Sequence, residues 1–216
     1  MALRAWVVGG LLGAILFAGC GSSSHKTAAS SSTSTPSSTR VPAGPPPALR
    51  GVRGRVLAVG ELPGFTRQGT RQLGINAASW VAELPASQRA REAARLQSLG
   101  FIAAVRELLL HPASGSPAEA LSIVEQFPSP RAARKELAFQ VRRGIGPGVS
   151  EFAVPAIAGA RGFGGSSPQS TGLNVAFTKG SYYYLVGAGW PTGSPTPTTR
   201  AALIAAAVRL YERVGA

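Results

Sequence analysis

The sequence contains no aspartate, one cysteine and two histidines, so the side chains that build most metal sites and acid–base catalysts are scarce. All nine acidic residues are glutamates, against 22 lysines and arginines. A Ser-His-Asp triad cannot be built without aspartate, and so few histidines and cysteines do not predict a metal site. We therefore expect neither a metal ion nor any other cofactor.

The single cysteine also excludes a fold held by internal disulfides, so stability has to come from a hydrophobic core. Hydrophobic residues make up 44% of the 216 positions and charged residues 14%, which is not the composition of a coiled coil, a collagen or a wholly disordered chain. These numbers are typical of a globular domain with appended segments.

The first twenty residues have the layout of a secretory signal. Arg4 precedes an uncharged apolar run over Ala5–Ala18, and small residues stand directly before Cys20. The stretch Phe17-Ala18-Gly19-Cys20 resembles the lipobox of bacterial lipoproteins. The resemblance implies cleavage after Gly19, acylation of Cys20 and attachment to membrane lipid on the extracytoplasmic face of the cell membrane.

A tether and a single domain are predicted to follow, so the chain divides into residues 1–19, 20–48 and 49–216. Serine and threonine fill 13 of the 19 positions from Gly21 to Thr39, and four prolines lie between residues 42 and 47. Such a segment has too little apolar area to offset the entropy of ordering. We expect a disordered tether that leads into a domain of ordinary size.

Short strands and helices alternate in the predicted domain. We expect the following elements in chain order: a strand over Arg55–Val59, a short helix from Asn76 to Glu83, a helix from Pro85 to Gly100, strands over Phe101–Leu110 and Ala120–Phe127, a helix from Ser129 to Gly144, an edge strand or an irregular segment over Val149–Ile157, a loop over Ala158–Gly172, a hairpin over Leu173–Trp190, and a helix over Thr198–Val214. Neighbouring strands joined by short connections predict an α+β fold, with a single antiparallel sheet and helices packed on it.

Two strand pairs carry the candidate binding residues. A register with Arg106 opposite Glu125 places one charge pair within an apolar face, where it could be an anion clamp or, as we favour, a buried structural ion pair. In the hairpin, Tyr183 could belong to a stacking platform, although sheets favour aromatic residues in any case. Asn174 faces the same side of the hairpin as Tyr183.

A loose resemblance adds to these observations. The strand and Ala-Ala helix within Ala120–Leu137, the strand Asn174-Val-Ala-Phe177 and the final helix resemble extracytoplasmic lipoprotein and kinase-sensor domains of high-GC Gram-positive bacteria. The resemblance implies a non-catalytic binding or sensing domain outside the membrane, and it carries over no functional residue. The candidate binding residues Arg106, Glu125, Asn174 and Tyr183 come from the strand patterns alone.

Two other functions remain open at this point. A cell-envelope hydrolase would use serine and glutamate, with Glu107, Glu125 and His111 as the groups whose substitution abolishes turnover. No Gly-x-Ser-x-Gly motif nominates a nucleophile, and Glu83, Glu92, Glu136 and Glu212 are interpreted as charges on helix surfaces. A structural partner of an envelope protein would instead show an exposed apolar patch.

The net charge of +13 predicts attraction to polyanions. For an exported protein, these are anionic lipid headgroups and envelope polymers. We do not expect nucleic acid as a partner, because the arginines are distributed over several predicted helices and form no single basic stretch.

Overall fold

The structure is a computed structural model that describes residues 47–111, 118–166, 171–190 and 197–215. Within these ranges the helices are α1 (Pro47–Arg50), α2 (Ala77–Trp80), α3 (Ala86–Ser98), α4 (Pro130–Gly144) and α5 (Pro197–Arg213). The strands are β1 (Thr66–Arg67), β2 (Gln72–Gly74), β3 (Ala103–His111), β4 (Ala118–Gln126), β5 (Val149–Phe152), β6 (Arg161–Ser166), β7 (Thr171–Lys179) and β8 (Tyr182–Trp190). The predicted signal segment, Gly19, Cys20 and the tether up to residue 46 lie outside the described residues.

The eight strands form one antiparallel sheet in the order β1-β3-β4-β8-β7-β6-β5, and β2 pairs with β3 beside β1. The helices pack on this sheet. The predicted α+β class, with a single antiparallel sheet and packed helices, is confirmed.

Both faces of the sheet are covered, because side chains alternate along each strand. One face, which we call the α5 face, packs against α5 and the segment that includes α1; its buried residues include Leu49, Val105, Val124, Val175 and Leu203. The other, the α4 face, packs against α2, α3 and α4; its buried residues include Trp80, Ala104, Phe127, Leu137 and Leu185. The domain thus has two apolar layers, and its sheet lies between them.

The helices predicted over Ser129–Gly144 and Thr198–Val214 are confirmed. Ser129 caps α4 through a hydrogen bond from the backbone N–H of Ala132, and Pro130 occupies the first turn. The predicted stripe of Ala133, Leu137 and Val141 is buried. The terminal helix also forms, as α5.

The hairpin of β7 and β8 closes around Gly180 and Ser181, with Lys179 opposite Tyr182. Gly180 has a φ of 58°, a conformation that glycine adopts without a steric penalty. The predicted apolar face of the hairpin lies on the α5 face; its residues are Leu173, Val175, Phe177, Tyr182, Tyr184, Val186, Ala188 and Trp190.

The strand predicted over Arg55–Val59 is wrong, since this segment consists of turns and irregular backbone. Val56 and Leu57 are buried, so their apolar character reflects packing on the sheet. The backbone N–H of Leu57 donates to Ser122 Oγ at 2.9 Å, and a side chain thereby takes the place of a strand partner.

The loop predicted over Ala158–Gly172 is also wrong, because it contains β6 and the start of β7. Glycines normally weaken strands, but here they allow close approach of neighbouring chains. A Cβ at Gly164 would lie 2.4 Å from the Gly172 carbonyl oxygen, and one at Gly165 would lie 2.2 Å from that of Gly148. The glycines of β6 are therefore steric requirements of the sheet.

Substitution of Gly164 by alanine is expected to lower the free energy of unfolding by about 1–3 kcal/mol, because the added Cβ collides with backbone that cannot rotate away. Gly146→Ala is the matched control, since a Cβ there meets no heavy atom within 4 Å. Chemical denaturation of both variants tests this. Equal stability of the two would show that β6 does not approach β7 as closely as described.

Candidate functional site

Charged and polar side chains are buried between the α4 face of the sheet and the helices that cover it. The indole Nε1–H of Trp80 donates to Glu125 Oε1 at 2.7 Å. The guanidinium of Arg95 donates two hydrogen bonds to the carboxylate of Glu136. Tyr183 is the direct neighbour of Glu125 across β4 and β8. We call these five residues the Glu125 cluster.

Trp80 reaches the cluster because α2 is capped. The predicted N-cap Asn76 accepts a hydrogen bond from the backbone N–H of Ser79 at 2.8 Å, and the Ser79 hydroxyl accepts in return from the backbone N–H of Asn76. The Trp80 side chain lies over Gly74 of β2, where a Cβ would be 2.9 Å away. Cap and glycine together position the indole over the sheet.

Glu92 and Glu136 are not surface charges, which corrects the interpretation from sequence. The Glu136 side chain is fully buried and that of Glu92 is 11% exposed, and both bind Arg95. Glu136 also accepts from Gln140 Nε2 at 2.6 Å, and Arg143 lies 3.6 Å from Glu92. Burial alone lowers the pKa of Arg95, but its hydrogen bonds to the two carboxylates outweigh this effect and raise it.

Glu125 is a buried acid whose pKa is raised. Burial raises the pKa of its carboxyl to about 8, with a further contribution from the nearby charge of Glu136, while the hydrogen bond from Trp80 lowers it. Its Oε1 accepts from Trp80, whereas Oε2 is buried without a hydrogen-bond partner among the described residues. A protonated carboxyl can donate from that position.

Tyr183 is the second buried acid of the cluster. Burial raises the pKa of its hydroxyl well above the ordinary value, and the charges of Glu125 and Glu136 act in the same direction. The hydroxyl has no hydrogen-bond partner among the described residues. Glu125 Oε2 and the Tyr183 hydroxyl are thus two buried polar atoms on neighbouring strands, each without a hydrogen-bond partner among the described residues.

Arg106 does not pair with Glu125, so the predicted ion pair is wrong. Within β3 and β4, Arg106 lies opposite Ile123, and Ala104 lies opposite Glu125. Arg106 instead forms an ion pair with Glu83 at 3.2 Å, and its guanidinium lies 5.2 Å from the centre of the Trp80 ring. The register differs from the prediction by two residues, which leaves both side chains on the predicted face.

Asn174 lies apart from the cluster. It is buried in β7, and its Oδ1 would be 2.6 Å from a Cβ at Gly187. The residue of β7 opposite Tyr183 is Thr178, four positions away, or about 13 Å along the strand. The structure thus places Glu125 and Tyr183 side by side and Arg106 beside the Trp80 ring of the cluster, whereas Asn174 lies apart.

The groups nominated for a hydrolase do not converge. Glu107 and Glu125 lie on opposite faces of the sheet, as the alternation of β3 and β4 in register requires. Glu107 is fully buried and bound by Arg67 and Arg71. The ring of His111 packs edge-on against Phe65, with 5.3 Å between ring centres.

Trp80, Arg95 and Glu136 were not identified from sequence as members of a site. A signal for Glu136 exists, since it precedes the buried Leu137 and follows Ala132 and Ala133 on the inner side of α4. A second signal is the spacing of Glu92 and Arg95, which lie three residues apart on one helix and can therefore form an ion pair. Neither signal reveals that the two helices bury these charges against each other.

The described residues form neither a metal site nor a membrane-spanning helix. No group of three histidine, cysteine or glutamate side chains in these ranges is arranged to hold a metal ion. None of the helices described is both long and apolar enough to cross a membrane.

Comparisons with known proteins do not identify a family for this chain. No protein-family model matches the chain, and no curated protein matches it in sequence. A similar solved structure is the extracellular domain of PknH from Mycobacterium tuberculosis, with 9% sequence identity and a TM-score of 0.44. The match covers 76% of this chain and 96% of that domain, and it is a weak structural likeness.

Proposed function

We propose that the protein is a bacterial lipoprotein, held on the extracytoplasmic face of the cell membrane by acylated Cys20, whose α+β domain is a non-catalytic binding or sensing module. The observation that carries the proposal is the position of the only cysteine, directly after an apolar segment and the small residue Gly19. The domain described from residue 47 onward needs no disulfide, which suits an exported chain whose one thiol is used for lipid.

The arrangement of acids supports binding over catalysis. Glu107 and Glu125 are buried on opposite faces of the sheet, and His111 packs against Phe65. A general base has to reach the proton that it abstracts. The described groups therefore offer no assembled acid–base pair at the surface.

The described surface gives no support to a purely structural partner. That interpretation predicted an exposed apolar patch. Among the described residues, the large apolar side chains that are exposed are Val59, at 63%, and Ile75, at 51%. They belong to separate turns of the chain.

Anchoring is tested with the full-length chain in a bacterial host that processes lipoproteins. We expect incorporation of an alkyne-labelled fatty acid and recovery in the membrane fraction, and Cys20→Ser is expected to abolish the label and reduce membrane recovery by about tenfold or more. Mass spectrometry of the mature protein should show an acylated N-terminal Cys20.

The matched control keeps a thiol but moves it. Adding Ser23→Cys to the Cys20→Ser variant restores one cysteine three residues beyond position 20, and this variant should remain unlabelled. An unlabelled wild-type chain, or a mature N-terminus other than Cys20, would contradict the proposed anchor.

A further inference from the structure

The exposed surface of α4 carries four cationic side chains: Arg131, Arg134, Lys135 and Arg142. At 100° per residue they lie within an arc of about 100° and extend about 16 Å along the helix. The exposed Ala138 occupies the middle of the same arc. We call these four cations the α4 cationic face.

None of these four side chains is neutralised within the described part of the chain. They form no side-chain hydrogen bond or ion pair there. The acidic residues beneath them, Glu92 and Glu136, are buried and bound by Arg95. The positive charge of the α4 cationic face is therefore directed to solvent.

Three of these four cations do not stabilise α4, whereas Arg142 lies in its last turn, where a cation is favourable. The amino-terminal end of a helix is its positive end, where acidic residues are favourable and cations unfavourable. The first turn of α4 has no acidic residue, and Arg131, Arg134 and Lys135 all lie within its first two turns. A role outside the helix accounts for a charge pattern that costs helix stability.

The neighbouring helix adds to this surface. Contacts of Arg95 with Glu136 and of Glu92 with Arg143 show that α3 and α4 lie side by side and antiparallel. Arg91 of α3 is exposed. Arginines that are separate in the sequence thus share one side of the domain.

The chain enters the domain on the other side of the sheet. Its first described element, α1, packs on the α5 face through Leu49. An anchor that precedes α1 therefore joins the domain opposite the α4 cationic face. The packing of α1 therefore leaves the α4 cationic face uncovered.

We propose that the α4 cationic face binds a linear polyanion of the cell envelope that carries repeating phosphate diesters. Arginine suits this partner, because its planar guanidinium donates two parallel hydrogen bonds to one phosphate. A row of cations about 16 Å long can contact several successive phosphates of an extended polymer. This inference deepens the proposed function and rests on it, because it requires export of the domain.

The test uses the full-length chain in neutral detergent and fluorescent poly(glycerol phosphate) as the probe. We expect binding at about 50 mM salt that weakens steeply by about 200 mM. The double variant Arg134→Gln/Arg142→Gln should raise the Kd by about tenfold and reduce the slope of log Kd against log salt by about one to two.

The matched control removes two exposed cations from the opposite side of the domain. Arg50→Gln/Arg53→Gln has the same change in net charge and should raise the Kd by less than about threefold. An equal loss of affinity in the two double variants would show that binding depends only on net charge, and this would overturn the proposal. Absence of polymer binding by the wild-type chain at low salt would overturn it as well.

Two further measurements distinguish the envelope polymer from nucleic acid and from the anionic bilayer. Tighter binding of single-stranded DNA by about tenfold would assign the surface to nucleic acid and overturn the proposal. The anchored chain is also bound to vesicles that contain about 30% phosphatidylglycerol or pure phosphatidylcholine, and its capture of the polymer is compared. Capture on the neutral vesicles alone would show that the α4 cationic face binds the anionic bilayer, and this would overturn the proposal. Cys20→Ser should keep polymer binding in detergent, so failure of the anchor and failure of this surface are distinguishable.

Discussion

Replacement of Arg95 by alanine is expected to lower the free energy of unfolding by about 3–5 kcal/mol. The guanidinium joins Glu92 of its own helix to Glu136 of α4, and it lies 3.9 Å from the centre of the Phe139 ring. Without Arg95, the fully buried Glu136 keeps only Gln140 as a hydrogen-bond donor. An uncompensated buried carboxylate is among the largest single penalties that a fold can carry.

Chemical denaturation at neutral pH measures this loss of stability, and two further variants serve as controls. Arg91→Ala removes an exposed arginine of the same helix and should change stability by less than about 0.5 kcal/mol. Arg95→Lys keeps the charge but loses the forked geometry, so an intermediate loss is expected. If Arg95→Ala were as stable as Arg91→Ala, α3 and α4 would not be joined through this buried group.

Raising the pH from about 5 to about 8 is expected to destabilise the wild-type domain through Glu125, and Glu125→Gln should remove this loss. The pKa of this carboxyl is about 8 in the folded protein, against an ordinary value of 4.5. Between these values, the folded state keeps a proton that the unfolded state releases. The stability that comes from that proton is complete below about pH 4.5, decreases as the pH rises and is lost above about pH 8.

Glutamine imitates the protonated acid, because its oxygen can still accept from Trp80 and its amide cannot ionise. We expect the variant and the wild type to have similar stability at pH 5, and the variant to be more stable at pH 8.5 by an amount on the order of 2–4 kcal/mol. The difference between the two proteins isolates Glu125 from other titrating groups.

Denaturant titrations of both proteins across this range test the expectation, with Glu83→Gln as control. The side chain of Glu83 is 61% exposed, so its substitution should leave the pH dependence unchanged. A constant difference between wild type and Glu125→Gln at pH 5 and pH 8.5 would mean that the buried carboxyl does not hold a proton at neutral pH.

Features that depend on neighbouring residues were predictable from sequence. Ser129 and Pro130 mark the start of α4, and Gly180 allows the turn of the last hairpin, because caps and tight turns depend on a few adjacent residues. The apolar sides of β7 and β8 were predictable for the same reason, since alternation is a local property.

The register of β3 with β4 was not predictable to the residue. A shift of two positions preserves the alternation of faces, so the apolar pattern cannot distinguish Ile123 from Glu125 as the neighbour of Arg106. The strand β6 was missed because its glycines are typical of loops. Their role appears only when β5 and β7 are known to lie close on either side.

The sequence by itself determined the order of most helices and strands, their antiparallel pairing and the α+β class, because hydrophobic periodicity is written in consecutive residues. Only the tertiary structure decided which charges are buried and which are left free. Glu136 is buried because Arg95, 41 positions earlier, lies against it, whereas Arg134 and Arg142 on the same helix meet solvent. The free energy of a charge depends on its partners and its exposure, and both are set by residues that the fold brings from elsewhere in the chain.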